Sequence, residues 1–181
     1  MTKCLRLLGL CVTVLAAAVP ARAQDTPKVE VSGGYQFIRF DGNNRPKGWY
    51  ADLAGNVTRA LGIVGEVGGN YRSVSESGIT INGRIHEFMA GVRASARKNP
   101  HVVPFGQVLA GALHPSFSGR GATVTVSESE TDFAFQLGGG VTVGLASKAG
   151  VRLGADYLRV SSDRNTTNIF RFAAGINLGL P

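Results

Sequence analysis

The chain has 181 residues, 44% of them hydrophobic and only 17% charged, with 25 glycines and a formal charge of +7. The charged share is below the roughly 25% of soluble domains, and glycine is about twice its usual ~7%. So much apolar and β-branched surface excludes a disordered chain, and two cysteines, Cys4 and Cys11, exclude a disulfide scaffold.

Residues 1–23 read as an export signal. Lys3 and Arg6 form a basic start, residues 7–19 an apolar run, and Pro20 precedes the small-residue pair in Ala21-Arg22-Ala23. The apolar run is too short for a spanning helix, which needs roughly 20 residues. Cleavage after Ala23 leaves a single domain, 24–181, without cysteine. Loss of Lys3, Arg6 and Arg22 lowers the formal charge to +4, which removes most of the case for nucleic acid. A basic surface on an exported chain suits anionic lipid headgroups or polysaccharide instead.

The remaining sequence alternates with a period of two, which sorts side chains onto the two faces of a strand. The first segment, 28–40, sets Val29, Val31, Tyr35 and Phe37 against Glu30, Ser32 and Gln36. The second, 49–58, sets Trp49, Ala51 and Leu53 against Tyr50, Asp52 and Asn56. In the third, 61–71, Leu61, Ile63, Val67 and Tyr71 oppose Glu66 and Asn70. The fourth, 85–94, places Phe88, Ala90 and Val92 opposite Glu87, Met89 and Arg93. The fifth, 102–113, leaves its facing open, because Gln107 would carry Phe105 and Leu109 onto the polar face. The sixth, 132–143, opposes Phe133, Phe135, Leu137, Val141 and Val143 to Asp132, Gln136 and Thr142. The seventh, 151–160, opposes Val151, Leu153, Ala155 and Tyr157 to Arg152 and Asp156. The eighth, 169–180, opposes Phe170, Phe172, Ala174, Ile176, Leu178 and Leu180 to Arg171 and Asn177.

The links take turns: 41–47, 72–84, 114–131 and 161–168 are polar and generally the longer ones, whereas 59–60, 95–101 and 144–150 are generally the shorter, at seven residues or fewer. Short turns on one rim and long loops on the other are the pattern of a membrane barrel. Segments of about ten residues match the 9–11 that cross a bilayer at a tilt. Aromatics near segment ends suit interfacial girdles, and the polar faces carry little Lys, unlike a water-facing surface. The expectation is an all-β fold: an eight-stranded antiparallel up-and-down transmembrane β-barrel.

Such a barrel is filled by side chains, so its polar face must pair its charges. The expected lumen network is Glu30, Asp52, Glu66, Glu87 and Asp156 with Arg93, Arg152 and Arg171. Arg171 with Glu30 is one expected pair, since the eighth segment adjoins the first on closure. Asp156 and Arg152 lie too far apart along one strand to pair directly, so each should look across the bore. His86, His101 and His114 are scattered in sequence and suggest no metal site. His86 or His114 with Ser116 lacks an orienting third group, so no enzyme is expected. Gly138-Gly139-Gly140 has no following Lys-Ser/Thr and is no phosphate loop; it suits close packing in the wall. No cofactor is implied.

Several stretches resemble a known family: Gly48-Trp49-Tyr50-Ala51, residues 61–69 (LGIVGEVGG), Gly91-Val92-Arg93, Pro104-Phe105, Phe135-Gln136-Leu137-Gly138-Gly139-Gly140 and residues 152–157 (RLGADY). The chain resembles the small outer-membrane β-barrels, the eight-stranded group related to the OmpA transmembrane domain and the opacity-type surface proteins. The resemblance spans 24–181 and implies a cell-envelope protein of the bacterial outer membrane, reached by way of the periplasm. It further implies contact with outer-membrane lipids and lipopolysaccharide, and loops open to an extracellular ligand. The C-terminal Gly175-x-x-Leu178-x-Leu180 resembles the signal read by the barrel-assembly machinery, although the chain ends in Pro181 where an aromatic is usual. A structural or surface-interaction role follows; a narrow solute or ion pore and a soluble periplasmic carrier barrel are the alternatives.

Overall fold

The computed structural model describes residues 26–39, 47–76, 79–99, 101–120, 125–129, 131–146, 148–162 and 166–181. The expected signal, 1–23, and most of the first long link, 41–46, lie outside them. Nine strands follow in chain order: β1 (Val29–Arg39), β2 (Lys47–Asn56), β3 (Leu61–Glu76), β4 (Ile79–Ser95), β5 (Val102–Arg120), β6 (Thr125–Ser129), β7 (Asp132–Ala146), β8 (Ala149–Ser161) and β9 (Thr166–Leu180). Eight close into an antiparallel barrel. Each strand pairs with its neighbours, β1 pairs with β9 from Val29↔Leu180 to Arg39↔Phe170, and β6 only extends the outer end of β5. Closure leaves no edge within the bilayer, so backbone groups that lipid cannot satisfy are paired strand to strand.

The wall follows the alternation. Leu53, Ile63, Phe88, Val92, Leu137, Leu153, Phe172 and Ile176 face outward and are exposed, as lipid contact requires. Tyr50, Asp52, Glu66, Glu87, Gln136, Asp156 and Arg171, at the alternate positions, are buried in the lumen. The open question in β5 is resolved inward: Gln107 and Leu109 are buried, and Phe105 shares their face. Among the described residues no helix is long and apolar enough to span a membrane; this chain crosses with strands.

Two expected loops are strand instead. Residues 72–76 and 79–84 extend β3 and β4, which stay paired from Arg72↔Gly83 out to Glu76↔Ile79. The start of 114–131 continues β5, paired with β4 as far as Thr80↔Arg120. Beyond the bilayer a strand can still form wherever a neighbour supplies its hydrogen bonds, so the ribbon runs on until its turns. The short turns at the opposite rim, taken as periplasmic by the family pattern, are at 57–60 and 96–101. There Val57 N–H and Thr58 N–H donate to Leu61 C=O, and Ala96 N–H donates to Pro104 C=O.

Candidate functional site

The lumen gathers the polar face of every barrel strand into two charged clusters. Near the periplasmic rim, Arg152 Nη2 lies 2.9 Å from Glu30 Oε2, and its Nη1 lies 3.2 Å from Asp52 Oδ1. Arg93 Nη1 shares that Asp52 oxygen at 3.1 Å. Both guanidiniums lie over the Phe105 ring, their Cζ atoms 5.1 Å and 4.9 Å from its centroid. These are cation–π contacts in a desolvated setting, and they explain an aromatic on a polar face.

The second cluster is centred on Arg171, which is 1% exposed. Its guanidinium meets Glu66 Oε1 at 2.6 Å, Glu87 Oε1 at 3.0 Å and Asp156 Oδ2 at 2.8 Å. Gln36 Nε2 donates to Glu87 Oε1 at 2.7 Å. Gln107 links the clusters: its Oε1 accepts from Arg93 at 2.8 Å and its Nε2 donates to Asp156 at 3.1 Å. Every formally charged lumen residue expected from the sequence is buried and has an oppositely charged contact.

The pairing differs from two expectations. Arg171 does not meet Glu30, although β1 and β9 adjoin; Ile38 is its register partner, and Glu30 sits several residues nearer the periplasmic rim. Asp156 does not look across the bore either. It stands directly opposite Arg171 on the adjacent strand, where a short carboxylate and a long guanidinium fit side by side. The sequence reading also missed Arg97. It comes from the β4–β5 turn, pairs with Glu30 and donates to Arg59 C=O at 2.7 Å, closing the periplasmic mouth. Only tertiary proximity marks it, because a turn arginine carries no alternation.

Glycine makes the space these side chains fill. A Cβ at Gly138 would collide with the Asp156 carboxylate, and one at Gly68 with Glu87 and Gln36. Between the clusters, a cavity of about 10 Å³ beside Tyr50, Phe105 and Gln107 has room for about one water and no more.

Above the charges lies an apolar layer. On six strands the lumen residue one step outward of the network is hydrophobic and buried or half-buried: Ile38, Ile85, Leu109, Ala134, Leu158 and Ile169. Leu113 and Val160 join it, and the same cluster runs on beside the charges through Ala54, Val64 and Met89. The lumen is therefore occupied at two levels, one by ion pairs and one by aliphatic side chains.

A closed barrel with a lipid-facing apolar band and a filled polar lumen is the architecture of small outer-membrane proteins. A family model described as an outer membrane protein beta-barrel domain matches residues 8–180. The chain belongs to that family. It is accordingly a protein of the bacterial outer membrane. Among solved structures, Ail, the attachment invasion locus protein of Yersinia pestis, is 21% identical with a TM-score of 0.60, over 84% of this chain and 99% of that one. Ail in complex with the heparin analogue sucrose octasulfate gives the same identity and coverage with a TM-score of 0.59. Neisserial surface protein A is 10% identical with a TM-score of 0.63, over 84% of this chain and 96% of that one. At such identities the likeness establishes the fold. No curated protein matches the sequence.

Proposed function

We propose that this outer-membrane barrel has a structural or surface-interaction role, with a lumen plugged rather than conducting and with no catalytic activity of its own. The observation that carries this reading is the two-level filling of the lumen. A hydrated ion would have to displace the Arg171 cluster and then pass the aliphatic layer around Leu158 and Ile169, and the cost of stranding buried charge opposes the first step.

The interacting surface is then the outer rim and the wall. Arg39, Lys47, Arg72, Arg84 and Arg159 are exposed at the outer ends of their strands, where phosphate-bearing lipopolysaccharide would meet them. That Ail has been solved in complex with a sulfated heparin analogue supports an anionic extracellular ligand for this barrel. Insertion by the barrel-assembly machinery through the C-terminal strand β9 completes the set of proposed partners.

Two measurements test the reading. In planar bilayers the purified barrel is expected to give no stable porin-sized conductance, and large steady openings would establish the pore alternative instead. On fractionation it is expected in the outer membrane, with heat-modifiable gel migration. Solubility without detergent would establish the carrier alternative.

A further inference from the structure

Antiparallel pairing brings together two histidines that are 28 positions apart in the sequence. His86 on β4 and His114 on β5 are direct register partners. Both project from the outer face, because Phe88, Ala90 and Val92 at alternate positions of β4 are exposed. Directly opposed residues of an antiparallel pair have Cα atoms about 4.5–5.5 Å apart, close enough for two imidazoles to converge on one ion. Both side chains are half-buried, so a ligand can reach them from the bilayer–water boundary.

The surroundings hold the two rings. His114 Nδ1 is 2.9 Å from Thr131 Oγ1. When this contact is Nδ1–H donating to the hydroxyl, the Nε2 lone pair is left for a metal, the arrangement that ligating histidines use. His86 packs edge-on against Tyr71, with ring centroids 6.0 Å apart. Tyr71 is in turn fixed by Trp49, whose Nε1–H donates to its hydroxyl at 3.3 Å. Gly69 sits between them without a side chain; a Cβ there would come within 2.9 Å of Trp49 Nε1. The missing side chain lets Trp49 and Tyr71 meet and buttress His86.

We propose that His86 and His114 form a two-imidazole site for a divalent transition-metal ion, Cu²⁺ or Zn²⁺, on the outer rim of the barrel wall. Imidazole nitrogen suits these ions, and Cu²⁺ binds such donors most tightly of the first-row divalent series. Among the described residues no group of three or more His, Cys, Asp or Glu gathers around one point. Among the described residues two ligands are supplied, and the remaining positions are open to water or a headgroup oxygen. The site rests on residues outside the lumen and does not depend on whether the barrel conducts.

The test uses the folded, tag-free barrel in detergent micelles, titrated with Cu²⁺ and followed by electron paramagnetic resonance. The expected result is one saturable ion per barrel whose spectrum reports two nitrogen ligands. His86→Ala and His114→Ala should each remove one nitrogen and weaken binding by at least about tenfold, while Thr131→Val, which unties His114, should weaken it about 10–100-fold. His101→Ala, at the opposite rim, should leave binding unchanged. Heat-modifiable migration verifies that each variant is folded. A folded wild type without saturable binding would overturn the proposal, as would a His86→Ala/His114→Ala variant that keeps the two-nitrogen spectrum.

Discussion

Arg171 faces three carboxylates, and that imbalance decides how its neighbours respond to substitution. Arg171→Met strands Glu66, Glu87 and Asp156 in a dry lumen and should cost about 3–5 kcal/mol in a refolding titration. Glu87→Gln keeps the oxygen that accepts from Gln36 and Arg171 while removing one excess negative charge, so its cost should stay within about 1 kcal/mol. Equal losses from the two would mean that the guanidinium does not organise the cluster. Gly138→Ala makes the complementary test of space: its Cβ meets the Asp156 carboxylate. Overpacking of this kind costs about 1–3 kcal/mol, and a Gly138→Ala barrel as stable as the wild type would show Asp156 free to move aside.

Along a single strand, neighbouring residues live in different solvents. In β7, Leu137 is 54% exposed toward lipid while Gln136 is 0% exposed in the lumen. Leu137→Arg should cost about 2–4 kcal/mol if the site lies near the bilayer midplane. Neither amide atom of Gln136 has a protein partner, so Gln136→Leu is expected to be neutral or stabilising by about 1–3 kcal/mol. Reversed outcomes in urea titrations against vesicles would reverse the face assignment. The outer ribbon obeys a different rule, because among the described residues only β4 pairs with β3 beyond Tyr71. Ser73 and Asn82 are register partners, with Ser73 Oγ–H donating to Asn82 Oδ1 at 2.7 Å. Replacing residues 74–81 by Asn-Gly, which favours a two-residue hairpin turn, removes beyond that ribbon only the outermost β4–β5 pairs, Thr80↔Arg120 and Ile81↔Gly119, and should leave heat-modifiable migration unchanged.

For the whole molecule, the lumen acts as the core that a soluble domain would have, with its polar part toward the periplasm and its aliphatic part outward. Arg97 latches the mouth through Glu30 and Asn56, yet the seal does not depend on it. Phe105 with its two guanidiniums, the Arg171 cluster and the aliphatic layer all lie farther in. Arg97→Ala is accordingly expected to give the same baseline conductance as the wild type in planar bilayers. Steady openings in this variant alone would place the barrier at the periplasmic turn.

The fold and the membership of the lumen were legible in the sequence because a strand's period of two is a local property. Each residue's parity assigns it to lipid or lumen, as with Glu66 beside Val67 and Arg152 beside Leu153. The aliphatic layer left only a faint mark, an apolar residue on the polar parity, as at Ile38 after Phe37 and at Leu158 two residues beyond Asp156. Which charge meets which was beyond the sequence, because partners depend on register, stagger and side-chain reach around a closed barrel. That is why Arg171 meets Asp156 beside it and Glu66 and Glu87 from β3 and β4, and why Arg97 enters from a turn. The inward facing of Phe105 became intelligible only with the guanidiniums of Arg93 and Arg152 over its ring. The juxtaposition of His86 and His114 likewise needed the β4–β5 register. Alternation fixed the face of each residue one strand at a time; closure, which couples strands distant in sequence, decided its neighbours.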